Sequence, residues 1–572
     1  MSKYLNRTIP LLGAFALIIA SCVSQSTTIS TPYVINSALP PTPTPYVVNS
    51  VSQPTPISTT TIATPTPEFT GITFSGSVPQ GLRDLITGYE IPSSASIRLD
   101  VAKPGDDGIQ FSWIYTLVAP FPTVKDGVTS DELRSYWTEG GPPLLMAEST
   151  LKAFTAIWGE PASGSVRNVP EGQLLNEAWT ESAWAIVPFE SIEPKWKVLT
   201  VDGQSPIRKN FDVGTYPLVV DYTLESAGVV DESSWTLTNY DPSKLTTVIM
   251  TGVTALVRAT ALTMELKGST YPGEKVRDLF RSADIMHVSN EIPFLTGCPF
   301  PKPDQAALVF CSDPKYMDLF TDIGTDVIEL TGNHFADYGP NAMYETLDMY
   351  NAAHIPYFGG GRDLQDSLKP ALFEVNGNKI AFIGCNKPDV GRFPTATDYQ
   401  PGAAPCDFDY FPQKINSLKA QGYVVISTFQ WNESYDYEPS PQQMKDFRLM
   451  ADSGASVVSG SQAHYAQTME FYDGAFIHYG LGNLFFDQMG DQDWMPPGIR
   501  REFFDRYVIY DNKLVSVELI TAMLEDYSRP RIMTEDERSG FLQEYFYYSG
   551  WSPFVPTPTP AITPTLTPMS IP

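Results

Sequence analysis

From residue 245 onward, short apolar runs alternate with amphipathic ones. The apolar runs are "LTTVIMTG" (245–252), "ADIMHVSNE" (283–291), "DVIELTGN" (326–333), "KIAFIGC" (379–385), "GYVVISTFQW" (422–431), "ASVVSG" (455–460) and "AFIHYGLGNLFF" (475–486). Several are continuous rather than alternating, which predicts strands covered on both faces by other layers. Helices are predicted between them, in "GEKVRDLFRSA" (273–283), "PKYMDLFTDIG" (314–324) and "PQQMKDFRLMADSG" (441–454). A further helix opens at Pro340, because proline is tolerated in a first turn and Met343, Leu347 and Tyr350 recur at i, i+4 and i+7 as one buried stripe. Strand-helix alternation of this kind predicts an α/β sandwich.

The region before residue 245 is mixed. "SIRLDVAK" (96–103) and "IQFSWIYTLVAP" (109–120) read as β-rich, and "LLMAESTLKAFTAIWG" (144–159) reads as helical. The stretch "AIVPFESIEPKWKVLTVDG" (185–203), with "YPL" at 216–218, resembles the closing half of type II periplasmic substrate-binding-like domains. That resemblance implies a smaller two-lobed α/β domain over 70–240, either with a ligand cleft or as a spacer without one.

Both ends are different in kind. The opening "MSKYLNRTIPLLGAFALIIASC" places Lys3 and Arg7 before an apolar run at 9–19, the pattern of an export signal, and the run is too short to span a bilayer. Ile19-Ala20-Ser21-Cys22 resembles the lipobox of bacterial lipoproteins, which implies cleavage at 1–22 and a lipid on Cys22. The expectation is an exported chain anchored to the outer face of the bacterial cell membrane; the alternative is an ordinary signal peptide that happens to contain a cysteine. Residues 23–69 and 554–572 are rich in Pro, Thr and Ser with almost no charge, so they read as a stalk and a tail without a packed core.

The chain has 572 residues, which predicts two globular domains, and 42% apolar content supports folded ones. Its formal net charge is -28, from 65 acidic against 37 basic residues, which argues against nucleic acid as a partner. Apart from Cys22, the cysteines are Cys298, Cys311, Cys385 and Cys406. In an exported chain the local pairs Cys298 with Cys311 and Cys385 with Cys406 are favoured over the other connectivities and over buried free thiols.

Ligands in such sheets collect beyond the carboxyl ends of strands. Four ends carry polar groups there: "SNE" (289–291), "TGNH" (331–334), "QWNE" (430–433) and "SGSQAHY" (459–465). Glu291, Asn333, His334 and His464 supply the carboxylate, amide oxygen and imidazole that a divalent metal takes. His287, His354 and His478 read as packing or capping residues.

The order of these stretches, with "TGVTALVR" (251–258) and "GNHFADYG" followed by "YGLGNLFF", resembles the CapA family of poly-γ-glutamate capsule synthesis proteins, within the calcineurin-like metallophosphatase superfamily. The resemblance implies a metallophosphatase-like α/β/β/α sandwich over 245–535. It implies Glu291, Asn333 and His464 as metal ligands and His334 as the acid protonating a leaving group, with Arg258, Gln430, Glu433, Gln462 and Asn483 lining the cleft. It also implies an anionic capsule polymer such as poly-γ-glutamate, or its biosynthetic machinery, as partner. The chain departs from the family pattern at Val253, Gln430 and Ser461-Gln462, where a carboxylate and imidazoles are expected. Two readings follow: one weakly held Mn, Zn or Mg ion assisting hydrolysis or transfer, or a binding cleft with a degenerate metal site and no turnover.

Overall fold

The computed structural model describes residues 33–34, 71–92, 95–227, 235–387, 395–490 and 495–553. The stretch read as an export signal with Cys22, the 23–69 segment read as a stalk apart from 33–34, and the 554–572 tail lie outside the described residues.

The first domain is built on one eight-stranded sheet in which two half-sheets share the long strand Ile109–Pro120. On one side it pairs antiparallel with Val219–Ala227, which leads to Ser96–Val101 and Gly71–Phe74; on the other it pairs with Ala185–Pro188, which leads to Leu144–Met146 and Val166–Asn168. This division is the two-lobed arrangement expected from the sequence. Trp113, Trp137 and Trp196 are fully buried in its core. One expectation needs correction: "LLMAESTLKAFTAIWG" is not helical throughout. Leu144–Met146 is a buried strand, and the helix Glu148–Trp158 starts only after Ala147.

The second domain stacks two sheets. One carries the parallel strands Leu245–Met250, Ile285–Asn290 and Val327–Glu329, continued by the antiparallel Arg501–Tyr510 and Lys513–Glu525. The other carries Asn378–Asn386, Val424–Ser434, Val457–Ala463 and Ala475–His478, all parallel. Val248, Ile285 and Val327 of the first meet Phe373, Phe382 and Ile426 of the second in a core between the sheets. The outer face of the first sheet is covered by the helix Gly339–Ala352, whose Met343, Leu347 and Tyr350 are buried as the spacing predicts. The helices Tyr410–Ala420 and Pro441–Asp452 cover the other. The result is an α/β/β/α sandwich. The helix Glu535–Tyr548 packs Phe541, Leu542, Tyr545 and Phe546 into the inter-sheet core, so this body continues past residue 535.

The domains are docked through apolar and ionic contacts. Phe121 of the first domain lies against Phe471, Phe476, Phe546 and Trp551 at centroid distances of 5.0 to 6.1 Å. Arg208 makes a two-pronged pair with Glu518, and Arg538 reaches Val124 O and Asp126.

The four cysteines form the disulfides Cys298–Cys311 and Cys385–Cys406. Among the described residues no helix is long and apolar enough to cross a membrane.

Candidate functional site

The strands of both sheets run parallel toward one edge, so the loops after them converge there. Glu291 follows Ile285–Asn290 directly, and its backbone N–H donates to Thr254 O at 3.0 Å. Asn333 and His334 lie in the short 3-10 turn Asn333–Ala336 beyond Val327–Glu329. Gln430 and Glu433 stand near the end of Val424–Ser434, and Gln462 near the end of Val457–Ala463.

Arg258, Glu291, His334, Glu433, Gln462 and His464 line a single cavity of about 440 Å³. The other sequence-predicted residues join it through hydrogen bonds. Gln430 Nε2 donates to Glu291 Oε1 at 3.3 Å and to Asn333 Oδ1 at 2.8 Å. Asn483 Oδ1 lies 2.9 Å from His464 Nδ1. Loops separated by more than two hundred residues therefore meet at one rim.

Each polar group is fixed by a neighbour. Asn386 Nδ2 donates to Thr331 O at 2.7 Å and to Gln430 Oε1 at 3.0 Å. That contact turns the Gln430 oxygen toward Asn386 and its nitrogen toward Glu291 and Asn333. Asn483 Nδ2 donates to Gln488 Oε1 and His464 O, so its oxygen accepts from His464 Nδ1–H and Nε2 remains the ring's acceptor in the neutral form. Arg258 begins the helix Arg258–Lys267 at φ 46° and forks its guanidinium onto Asp487, with Phe310 and Phe486 5.2 and 5.7 Å from it.

His334 Nδ1 donates to Asp337 Oδ2 at 2.7 Å. Burial disfavours its charged form, but the Asp337 hydrogen bond and the nearby Glu291 and Glu433 charges outweigh burial and hold its pKa above the ordinary value.

A second polar network lies deeper. Glu329 accepts from His287 Nε2 at 3.1 Å and from Thr331 Oγ1 and Ser461 Oγ at 2.5 and 2.7 Å. Burial raises its pKa, yet His287 and the two hydroxyls more than offset this and keep the carboxyl below its usual value. His287 is thus a buried carboxylate partner, where the sequence suggested packing alone. His478 is likewise buried away from the cleft, with Nδ1 2.7 Å from Asp505 Oδ2.

The donor set does not fit a divalent metal. Gln430 presents two N–H donors, not an oxygen, to the two oxygens that would ligate, and Ser461 spends its hydroxyl on Glu329 and Phe429 O. Val253 is buried and apolar, so no carboxylate stands at that position. Among the described residues no three His, Cys, Asp or Glu side chains are grouped to hold an ion. Of the expected ligands, Glu291 and His464 line one cavity and Asn333 joins it through Gln430.

Sequence reasoning missed Asp337, Asp487, Asn386, Phe310, Tyr435 and Phe486. Asp337 was findable, since it stands three residues after His334 within one turn. Glu329 was also a signal, because a carboxylate inside an apolar strand needs a partner, and His287 stands in the neighbouring strand.

The structure defines a two-sheet α/β/β/α sandwich domain with a polar cleft at converging strand ends, bridged inside by side-chain amides. Residues 247–488 match the family described as bacterial capsule synthesis protein PGA_cap. The chain is 29% identical over 226 residues to the PGA biosynthesis protein CapA of Bacillus subtilis, covering 39% of this chain and 59% of that one. It is 31% identical over 169 residues to the capsule biosynthesis protein CapA of Bacillus anthracis, covering 29% of this chain and 41% of that one. The chain therefore spans about two to three fifths of the length of these curated relatives. A solved structure of a putative 5'-nucleotidase from Staphylococcus aureus is similar at 10% identity and a TM-score of 0.27, covering 53% of this chain and 59% of that one.

Proposed function

We propose that this protein is a cell-surface component of capsule-polymer synthesis that binds its ligand in the cleft without a metal ion and without turnover. The observation that carries this reading is Gln430, whose amide nitrogen bridges Glu291 and Asn333 where a cation would have to sit. The names of the CapA relatives support capsule synthesis as the setting. The ligand is the capsule polymer or a part of the machinery that makes it, with poly-γ-glutamate the first polymer to try. The lipobox-like Ile19-Ala20-Ser21-Cys22 supports a lipid anchor at Cys22 and an outward-facing location. The first domain docks on the second through Phe121 and Arg208, so both are carried together at that location.

The test is calorimetric titration of the full chain with poly-γ-glutamate oligomers, with and without a chelator, followed by product analysis. Binding that is unchanged by chelation, with the oligomers intact, supports the reading. Binding abolished by chelation, or shortened oligomers, overturns it.

A second reading is favoured by the His334–Asp337 pair. Asp337 orients the ring and stabilises its protonated form, the arrangement of a general acid, so proton donation to a leaving group is the chemistry His334 could supply on its own.

A further inference from the structure

Gln462 is 5% exposed and sits at φ 77°, a backbone conformation that side chains rarely adopt. Its side chain lines the cleft, and among the described residues its amide atoms make no hydrogen bond, whereas the other cleft amides, Asn333, Gln430 and Asn483, are engaged. A primary amide whose donor and acceptor are both unspent on protein is free to meet a ligand. One that faces a cavity is complementary to a ligand amide, offering it both a donor and an acceptor.

The charges around it fix the sign of that ligand. Among the described residues Arg258 is the one arginine in the cleft, and Asp487 takes both prongs of its guanidinium. His334 is paired with Asp337. Glu291 receives only the neutral Gln430 amide and Glu433 only the Tyr435 hydroxyl, at 2.6 Å, and among the described residues neither has an ion-pair partner. The cleft thus carries more carboxylate than cationic charge, since Glu291 and Glu433 face only His334, whose own charge is shared with Asp337. Phe310, Tyr435 and Phe486 add aromatic rings to the same walls. Carboxylates with aromatic faces attract an ammonium group and repel a carboxylate.

We propose that the cleft takes the amino end of an amide-linked chain, with its ammonium held between Glu433 and the aromatic walls and its first amide on Gln462. This deepens the binding reading above and rests on it. It places the polyanionic part of a capsule polymer outside the cleft, where the chain's charge of -28 does not have to be overcome at close range.

The test uses small probes on the full chain, by ligand-observed nuclear magnetic resonance titration near pH 6.5. Glycylglycinamide carries the ammonium and the amides, its N-acetyl derivative lacks the charge, and succinate carries the opposite charge. Glycylglycinamide is expected to bind about tenfold or more tighter than either of the others. Glu433→Gln and Gln462→Ala are each expected to weaken it by about fivefold or more, with thermal unfolding unchanged. Equal binding of the acetylated probe or of succinate, no binding of any probe, or an unaltered affinity in both variants overturns the proposal. Poly-γ-glutamate oligomers that bind equally well with a blocked amino end would overturn it while leaving the metal-free binding reading intact.

Discussion

The amide nitrogen of Gln430 lies 2.8 Å from Oδ1 of Asn333, and its amide oxygen accepts from Asn386 at 3.0 Å. A single neutral side chain therefore satisfies groups from three separate strand ends. Gln430→Met keeps the volume and removes these bonds, leaving the buried Glu291 with a desolvated charge. It is expected to lower stability by about 1 to 3 kcal/mol, read by denaturant unfolding. An unchanged midpoint would show that the amide bridge does not hold the site.

His478 and Asp505 are both fully buried and joined at 2.7 Å, and Tyr507 Oη also donates to Asp505. Replacing His478 by Leu leaves a buried carboxylate without its imidazole. The expected loss is about 3 to 5 kcal/mol, with the double variant His478→Leu and Asp505→Leu recovering a large part of it.

Asp326 enters the strand that carries Glu329 and accepts from the Met286 backbone N–H at 2.8 Å. Burial, with the nearby Asp284 charge, raises its pKa from 3.8 to about 6 despite that hydrogen bond. Between these values the folded state keeps a proton that the unfolded state has released. Stability from this group is therefore full below about pH 4 and is lost as pH rises through about 6, at no more than about 1.4 kcal/mol per pH unit. Asp326→Asn is expected to flatten the fall over that window in denaturant titrations. An identical slope in variant and wild type would contradict the assignment.

Much of this fold was legible because apolar periodicity and burial agree. Met343, Leu347 and Tyr350 mark one helix face, and the continuous runs around Val248, Met286 and Val425 mark strands covered on both sides. The hairpin of Arg501–Tyr510 and Lys513–Glu525 was not legible. Glu502 and Asp505 interrupt its apolar run, yet both are fully buried: Asp505 meets His478 and Tyr507, and burial pushes the Glu502 carboxyl well above its ordinary range. At the site, the missing imidazoles could be read from Gln430 and Ser461. The direction of the Gln430 amide could not, because Asn386 sets it from a different strand.

The Cys298–Cys311 loop supplies Gln305 and Phe310 to the cleft wall, and Cys385–Cys406 pins the end of the strand that carries Asn386. Replacing either pair by serines is expected to destabilise the chain by about 2 to 4 kcal/mol. Loss of the first pair is also expected to weaken cleft ligands, since it frees a wall; loss of the second acts on stability through the Asn386 strand. Thermal unfolding and ligand titration of both double-serine variants separate the two effects.

The central claim is that neutral amides and a serine hydroxyl have replaced the metal in this cleft. Elemental analysis of the full chain, after equilibration with Mn²⁺ or Zn²⁺ and removal of free ions, tests it most directly. The account predicts substoichiometric metal in the wild type and no change in Glu291→Ala. One ion per chain in the wild type, lost in Glu291→Ala, would contradict it.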